Sequence, residues 1–115
     1  ERMLELAQVA PGDTVYDLGS GDGRLVIEAA RRHGARGIGV ERDAELVARS
    51  RAAAAEARVA DRVEFVRGDI FEADLRQASV VTLYLLPAMM LRLSPKLREE
   101  LPAGARVVSH DFPLE

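Results

Sequence analysis

The sequence contains no cysteine among its 115 residues. This absence excludes disulfide frameworks, zinc sites built from thiolates and cysteine nucleophiles together. No other grouping along the chain indicates a metal site, so we expect none. A chain without cysteine also fits a cytoplasmic protein, and this is the location that we expect.

Long apolar runs and an excess of basic charge are absent as well. No run approaches the ~18 residues that a membrane-spanning helix needs, and the opening ERMLELAQVA alternates charged with apolar residues, unlike a secretory signal. The formal net charge is -3 at pH 7, so no broad positive field marks a sequence-independent nucleic-acid binder. We expect a soluble chain with neither a membrane span nor a specific nucleic-acid partner.

Short apolar runs alternate with segments of helical periodicity along the chain. The predicted strands cover residues 14–18, 35–41, 62–69, 78–86 and 105–112. The predicted helices are residues 25–33 with Gly34 as C-cap, a helix from Asp43 as N-cap to about Val59, and two short segments, 89–93 and 95–101, with Ser94 as N-cap of the second. Parallel strands need long crossovers, so the pattern predicts an α/β, Rossmann-like, doubly wound, mainly parallel sheet with helices on both faces.

A chain of this length forms one domain at most, residues 1–115. It starts without an initiator methionine and stops just after the last predicted strand. We therefore expect a partial domain, a fragment of a longer protein.

Carboxylates follow three of the predicted strands. In an open parallel sheet the ligand lies at the carboxyl ends of the strands, near the topological switch point, and Asp17, Glu41 and Asp69 come at these ends. Simple structural roles exist for acids here, because Asp22 can be the N-cap of the first helix, and Asp17 and Asp69 can accept from turn amides. Three carboxylates in one cleft nevertheless repel each other unless a cationic or donor-rich ligand lies among them.

The glycine spacing separates the candidate ligands. Gly19, Gly21 and Gly23 form G-x-G-x-G, which differs from the G-x-G-x-x-G of dinucleotide folds, and no Walker Gly-Lys-Ser/Thr is present. S-adenosylmethionine has no phosphate, carries an ammonium and a sulfonium, and offers ribose hydroxyls and an adenine amine as donors. We therefore interpret the cleft as a site for this cofactor, with Glu41 accepting from the ribose and Asp69 facing the adenine amine.

The stretches VYDLGSGDG, GVERD and VRGDI resemble the cofactor-binding half of class I S-adenosylmethionine-dependent methyltransferases over nearly the whole chain. The resemblance implies a seven-stranded sheet, of which this chain would lack the last two, antiparallel strands. It also implies a set of cofactor-binding residues: Asp17, Gly19, Ser20, Gly21, Asp22, Glu41, Arg42, Asp69 and Ile70.

A narrower resemblance concerns the methyl acceptor. DLGSGDGR, YLLP and LSPKLREELPAGARVVSHDF are similar to prokaryotic relatives of the mitochondrial protein-lysine methyltransferases that modify the ATP synthase c subunit and the adenine nucleotide translocase. The resemblance implies a protein substrate that bears a lysine, and a short substrate segment ahead of MLELA that is missing here.

Two residues are candidates for the acceptor side of the site. The Tyr84 face can hold an ammonium by cation–π attraction and line the methyl-transfer channel, although a tyrosine at a strand end can also be simple packing. His110 can accept a proton, or can be a structural histidine. A methyltransferase of a small molecule or RNA, an NAD-binding module and a non-catalytic scaffold remain alternative functions.

Overall fold

The computed structural model describes residues 4–5, 7–83 and 87–109, with the backbone alone for Pro87. Five strands form one sheet: β1 Thr14–Leu18, β2 Arg36–Glu41, β3 Val63–Arg67, β4 Val80–Leu83 and β5 Arg106–Ser109. Three helices lie wholly within the described residues: α1 Arg24–His33, α2 Ala44–Glu56 and α3 Pro87–Glu100. In this part of the chain no helix combines the length and the apolarity that crossing a membrane requires.

The sheet has the order β3-β2-β1-β4-β5, and all neighbouring strands are parallel. The chain winds in one direction from β1 to β3 and in the other from β4 to β5. The switch point therefore lies between β1 and β4, where Asp17 pairs in register with Thr82. The predicted Rossmann-like, parallel α/β class is confirmed.

Apolar side chains cover both faces of the sheet. On one face, α1 and α2 bury Val26, Ala29, Val47 and Ala54 against the sheet, together with Phe65 of β3. The other face carries a second cluster, which the strands form together with α3 and the β3–β4 connection. Its buried members are Tyr16, Leu18, Val40, Leu75, Ala78, Val81, Leu83, Leu93 and Leu97. Alternate residues of each strand point to opposite faces, which is why Asp17 and Tyr16 belong to different sides.

The β3–β4 connection, residues 68–79, crosses the sheet through turns and contains no helix. It is fixed to α3 by Glu100, whose carboxylate accepts from the Leu75 amide at 2.9 Å and from Lys96 Nζ at 2.6 Å. The bond from Lys96 and the amide of Leu75 lower the pKa of Glu100. This irregular crossover leaves part of the β2–β3 face without a helical cover.

At the amino-terminal ends of the strands, Asp13 connects the start of β1 to the start of β5. Its carboxylate accepts from the Ser79 hydroxyl at 2.7 Å and the Ala10 amide at 2.8 Å, and it pairs with the Arg106 guanidinium. Burial of Asp13 opposes ionisation, but the hydrogen bonds from Ser79 and Ala10, together with Arg106, outweigh it and lower the pKa of Asp13.

One helix ends earlier than predicted. The second helix ends at Glu56, earlier than Val59, because Arg58 takes a left-handed φ of 63°. The Val59 amide then bonds to Ala54 O at 3.0 Å and the Arg58 amide to Ala55 O at 3.1 Å, which together form a Schellman ending. The Asp43 N-cap and the Gly34 C-cap are confirmed.

The two predicted short helices form one helix, α3, so that Ser94 is an interior residue and not an N-cap. Pro95 lies inside this helix and removes the bond to the carbonyl of Leu91. Leu91 is 76% exposed, so the lost bond lies on the solvent side of α3, which continues to Glu100. The predicted fourth strand, 78–86, is a strand from Val80 to Leu83, and residues 84–86 lie outside the described residues.

Candidate functional site

The glycine loop after β1 has positive φ angles at Gly19 (81°), Gly21 (59°) and Gly23 (80°). A Cβ added at Gly19 or Gly21 would meet no described atom within 4 Å, whereas one at Gly23 would lie 2.7 Å from the Phe65 ring and 2.9 Å from Ser50 Cβ. The first two glycines therefore leave open space beside the backbone. The third allows the start of α1 to pack closely on β3 and α2.

Backbone and side-chain bonds fix this loop to β2. The amides of Gly19 and Ser20 donate to Val40 O at 2.8 and 3.0 Å. Glu41 then accepts from the Gly21 amide through Oε1 at 2.8 Å and from the Asp43 amide through Oε2 at 3.0 Å. Both carboxylate oxygens are thereby oriented at the mouth of the loop, and each keeps a lone pair for another donor.

A cleft of about 310 Å³ opens at the carboxyl ends of the strands. This volume lies at the lower end of the range for small-molecule sites. The lining includes five of the residues predicted to bind the cofactor: Gly19, Glu41, Arg42, Asp69 and Ile70. The ends of β1, β2 and β3 therefore meet at one cleft, as the strand-end acids indicate.

Asp69 lies on the β3 side of the cleft. Its Oδ1 accepts from the Phe71 amide at 2.9 Å. Phe71 and Arg92 also line the cleft, and the Arg92 guanidinium carbon lies 4.3 Å from the centre of the Phe71 ring, a cation–π contact. Neither residue was predicted to belong to the site. The position of Phe71, two places after the strand-end acid Asp69, could have indicated it, whereas Arg92 reaches the cleft only through the packing of α3.

Asp17 and Ser20 lie close to the cleft but do not line it. Asp17 is only 8% exposed, and the Thr82 hydroxyl donates to its Oδ1 at 2.8 Å across β1 and β4. The Ser20 hydroxyl is buried without a hydrogen-bond partner among the described residues, above Gly39 of β2. The cofactor contacts predicted for Asp17, Ser20, Gly21 and Asp22, and for the five predicted residues that line the cleft, stay predictions.

The prediction that Asp22 is the N-cap of the first helix is wrong. The N-cap is Gly23, which makes no side-chain cap bond. Asp22 lies one residue earlier, and its carboxylate accepts from the Arg24 amide at 3.1 Å and pairs with the Arg24 guanidinium at 3.3 Å on the surface. This arrangement is a local side chain–backbone turn.

Tyr84 and His110, the predicted acceptor-side residues, lie outside the described residues. Within the described part of the chain, no group of three or more histidine, aspartate or glutamate side chains is placed to hold a metal ion.

The sheet order, the glycine loop and the acids after β2 and β3 define an S-adenosylmethionine-dependent methyltransferase domain. A solved structure described as an RNA methyltransferase from Salinibacter ruber in complex with S-adenosyl-L-homocysteine has the same fold, with a TM-score of 0.95 and 62% identity. The match covers 97% of this chain and 73% of that one. Residues 17–115 match the ANTKMT methyltransferase domain, and the chain belongs to this family.

Curated relatives agree with this assignment. The chain is 44% identical over 114 residues to a protein-lysine N-methyltransferase of Saccharolobus islandicus, covering 98% of this chain and 71% of the relative. It is 43% identical over 115 residues to the adenine nucleotide translocase lysine N-methyltransferase of Mus musculus, covering 99% of this chain and 49% of the relative. The chain thus spans about half the length of the mouse protein. The predicted resemblance to protein-lysine methyltransferases and the predicted cofactor, S-adenosylmethionine, are confirmed.

Proposed function

We propose that the complete protein transfers methyl groups from S-adenosylmethionine to lysine side chains of a protein substrate. The observation that carries this proposal is the 44% identity to a protein-lysine methyltransferase over 98% of the chain. The mouse relative, which is named as the lysine methyltransferase of the adenine nucleotide translocase, also supports a protein lysine as the methyl acceptor. The cytoplasmic location expected from the sequence stays a prediction.

The cleft fits the cofactor in three places. The free lone pairs of Glu41 can accept from the two ribose hydroxyls, since its oxygens are already oriented by the amides of Gly21 and Asp43. Asp69 can accept from the adenine amine, and the open backbone at Gly19 and Gly21 leaves room for the methionyl part. The bound cofactor supplies an electrophilic methyl group on a sulfonium.

The remaining task of the protein is to position a neutral lysine amine. Alignment of nucleophile and methyl group for in-line displacement is worth up to about 7–11 kcal/mol. A lysine with an ordinary pKa must lose a proton before it attacks, which costs about 4–5 kcal/mol at pH 7. We assign Tyr84 to the lining of the acceptor channel and His110 to proton acceptance, on the sequence pattern alone.

RNA is the second candidate acceptor, because the 62% identical structure from Salinibacter ruber is described as an RNA methyltransferase. The charge of this chain favours protein. Its net charge is -3, whereas a domain that binds RNA usually presents a basic surface to the phosphates.

Labelling separates the candidates. The full-length protein is incubated with S-adenosylmethionine carrying a labelled methyl group and with host lysate, and samples are then digested with protease or with ribonuclease. We expect label that protease releases and ribonuclease does not, located by mass spectrometry on lysine Nζ. Label on RNA would overturn the lysine assignment, and cofactor binding without any labelled product would support a non-catalytic scaffold.

A further inference from the structure

A second cavity of about 380 Å³ opens on the face of the sheet that the β3–β4 connection covers only in part. Its apolar floor is formed by Tyr16, Ile38, Val40 and Val66, and Val66 is 39% exposed. This floor extends from the carboxyl ends of the strands towards their middle. Among the described lining residues, the cavity shares only Gly68 and Asp69 with the cofactor cleft.

Tyr16 shows that the floor has an unused polar group. The residue is 8% exposed and lines the cavity, and its hydroxyl makes no hydrogen bond with any described residue. Burial and the charges of Asp74 and Glu64 raise the pKa of Tyr16, so the phenol stays neutral and can accept a hydrogen bond from a ligand.

The charged residues among the described lining of the cavity are all acidic. Glu64, Asp69, Glu72 and Asp74 contribute carboxylates, and none of the described residues of the lining is a lysine, an arginine or a histidine. Arg76 approaches Asp74 only to 3.9 Å, with both side chains largely exposed, and such a pair is weak. A ligand suited to this cavity therefore has an apolar stem and a cationic end.

We propose that this cavity binds an arginine or lysine side chain of the protein substrate, separate from the lysine that is methylated. The aliphatic stem lies on Ile38, Val40 and Val66, and the cationic group reaches Glu64 and Asp74, as long basic side chains commonly arrange themselves. Tyr16 offers its hydroxyl oxygen as a hydrogen-bond acceptor to the same cation. The substrate assignment rests on the proposed function, whereas the preference for a basic side chain rests on the cavity.

Nuclear magnetic resonance titration of the ¹⁵N-labelled full-length chain tests the preference. The probe is acetyl-Gly-Arg-Gly-amide, and the control is the same peptide with citrulline, which has the shape of arginine without the charge. We expect saturable shifts at the amides of Tyr16, Ile38 and Glu64, unaffected by saturating S-adenosylhomocysteine, and binding of the citrulline peptide at least about 5-fold weaker. Equal binding of both peptides, or shifts confined to the cofactor cleft, would overturn the proposal.

Matched variants test the contacts. The double variant Glu64→Gln, Asp74→Asn is expected to bind the arginine peptide about 5-fold more weakly. The control, Glu56→Gln with Glu99→Gln, removes the same charge from exposed positions elsewhere. Its affinity for the arginine peptide should change less than 2-fold. Tyr16→Phe should weaken binding without lowering the melting temperature, because the hydroxyl has no hydrogen-bond partner in the part of the chain that the structure describes. Equal effects of the two double variants, or a Tyr16→Phe protein that binds normally, would contradict the assignment.

These readouts need no methyl transfer, so the two proposals fail separately. If the protein methylates only RNA but prefers the arginine peptide at this cavity, the lysine function and the substrate assignment are refuted, whereas the preference of the cavity for a basic side chain stands. A protein that methylates lysine but binds both peptides equally would refute the cavity proposal alone.

Discussion

The Gly21 amide donates to Glu41 Oε1 at 2.8 Å, and this bond joins the glycine loop after β1 to the acid at the end of β2. The two features are twenty residues apart in the sequence, and the parallel pairing of β1 with β2 brings them together. Because Glu41 also accepts from the Asp43 amide, its carboxylate is held in place before any ligand arrives. Prepositioned acceptors of this kind lower the cost of binding.

Glu41→Ala should therefore abolish most cofactor affinity. The change removes two charged acceptors for the ribose hydroxyls, and hydrogen bonds to charged groups are worth about 1.5–3 kcal/mol each. We expect S-adenosylhomocysteine to bind at least about 30-fold more weakly in calorimetry. Glu45→Ala, which removes an exposed carboxylate in the first turn of α2, is the control and should bind like the wild type. Unchanged binding by Glu41→Ala would show that the cofactor does not bind in this cleft.

Alanine at Gly21 and at Gly23 should have different effects. Both positions have positive φ, which costs an L-residue about 1–2 kcal/mol. At Gly23 the new methyl group also collides with Phe65 and Ser50, and overpacking adds about 1–3 kcal/mol. Urea denaturation should show the larger loss of stability for Gly23→Ala, whereas Gly21→Ala should mainly reduce cofactor affinity; the reverse order would contradict the roles given to these glycines.

Thr82 should stabilise the fold through its hydrogen bond to Asp17. Thr82→Val keeps the shape of the side chain but removes the hydroxyl that donates to the buried carboxylate at 2.8 Å. Removing the donor of a buried hydrogen bond costs about 1–3 kcal/mol, so we expect this loss in the free energy of unfolding. Thr82→Ser retains the donor and should lose about 1 kcal/mol or less for the methyl group. Equal destabilisation by the two changes would show that the hydroxyl is unimportant.

The stability of the domain should depend on pH through Asp13. Its pKa is lower in the folded protein than the ordinary value of 3.8, so its stabilising contribution is complete above the ordinary pKa and is lost as the pH falls through the folded pKa. Asp13→Asn should lower the free energy of unfolding at pH 7 by about 1–3 kcal/mol. Denaturation curves should also show a shallower loss of stability below pH 4 in this variant than in the wild type; identical slopes would exclude Asp13 as a source of acid sensitivity.

Local patterns predicted much of the fold and the cleft. Gly34 ends α1 and Asp43 begins α2 because these roles depend on neighbouring residues only. The strand-end acids Glu41 and Asp69 could be placed at one cleft because parallel strands carry their carboxyl ends to the same edge. Short-range chemistry and one topological rule were sufficient there.

Features that depend on tertiary packing could not be predicted in this way. Arg58 adopts a left-handed conformation that a sequence pattern assigns to glycine or asparagine. Pro95 indicates a helix start, yet α3 continues through it. Likewise, the acidic cavity at Tyr16 exists only because the β3–β4 connection crosses the sheet without a helix.

Calorimetry of the chain with S-adenosylhomocysteine and, in parallel, with NAD tests the central claim most directly. Both ligands contain an adenosine whose ribose Glu41 could hold, but only NAD brings a pyrophosphate, and the G-x-G-x-G loop lacks the glycine spacing with which dinucleotide folds bind that group. We predict one-to-one binding of S-adenosylhomocysteine with NAD at least about 100-fold weaker. Tighter binding of NAD, or no binding of S-adenosylhomocysteine by a folded chain, would contradict the account.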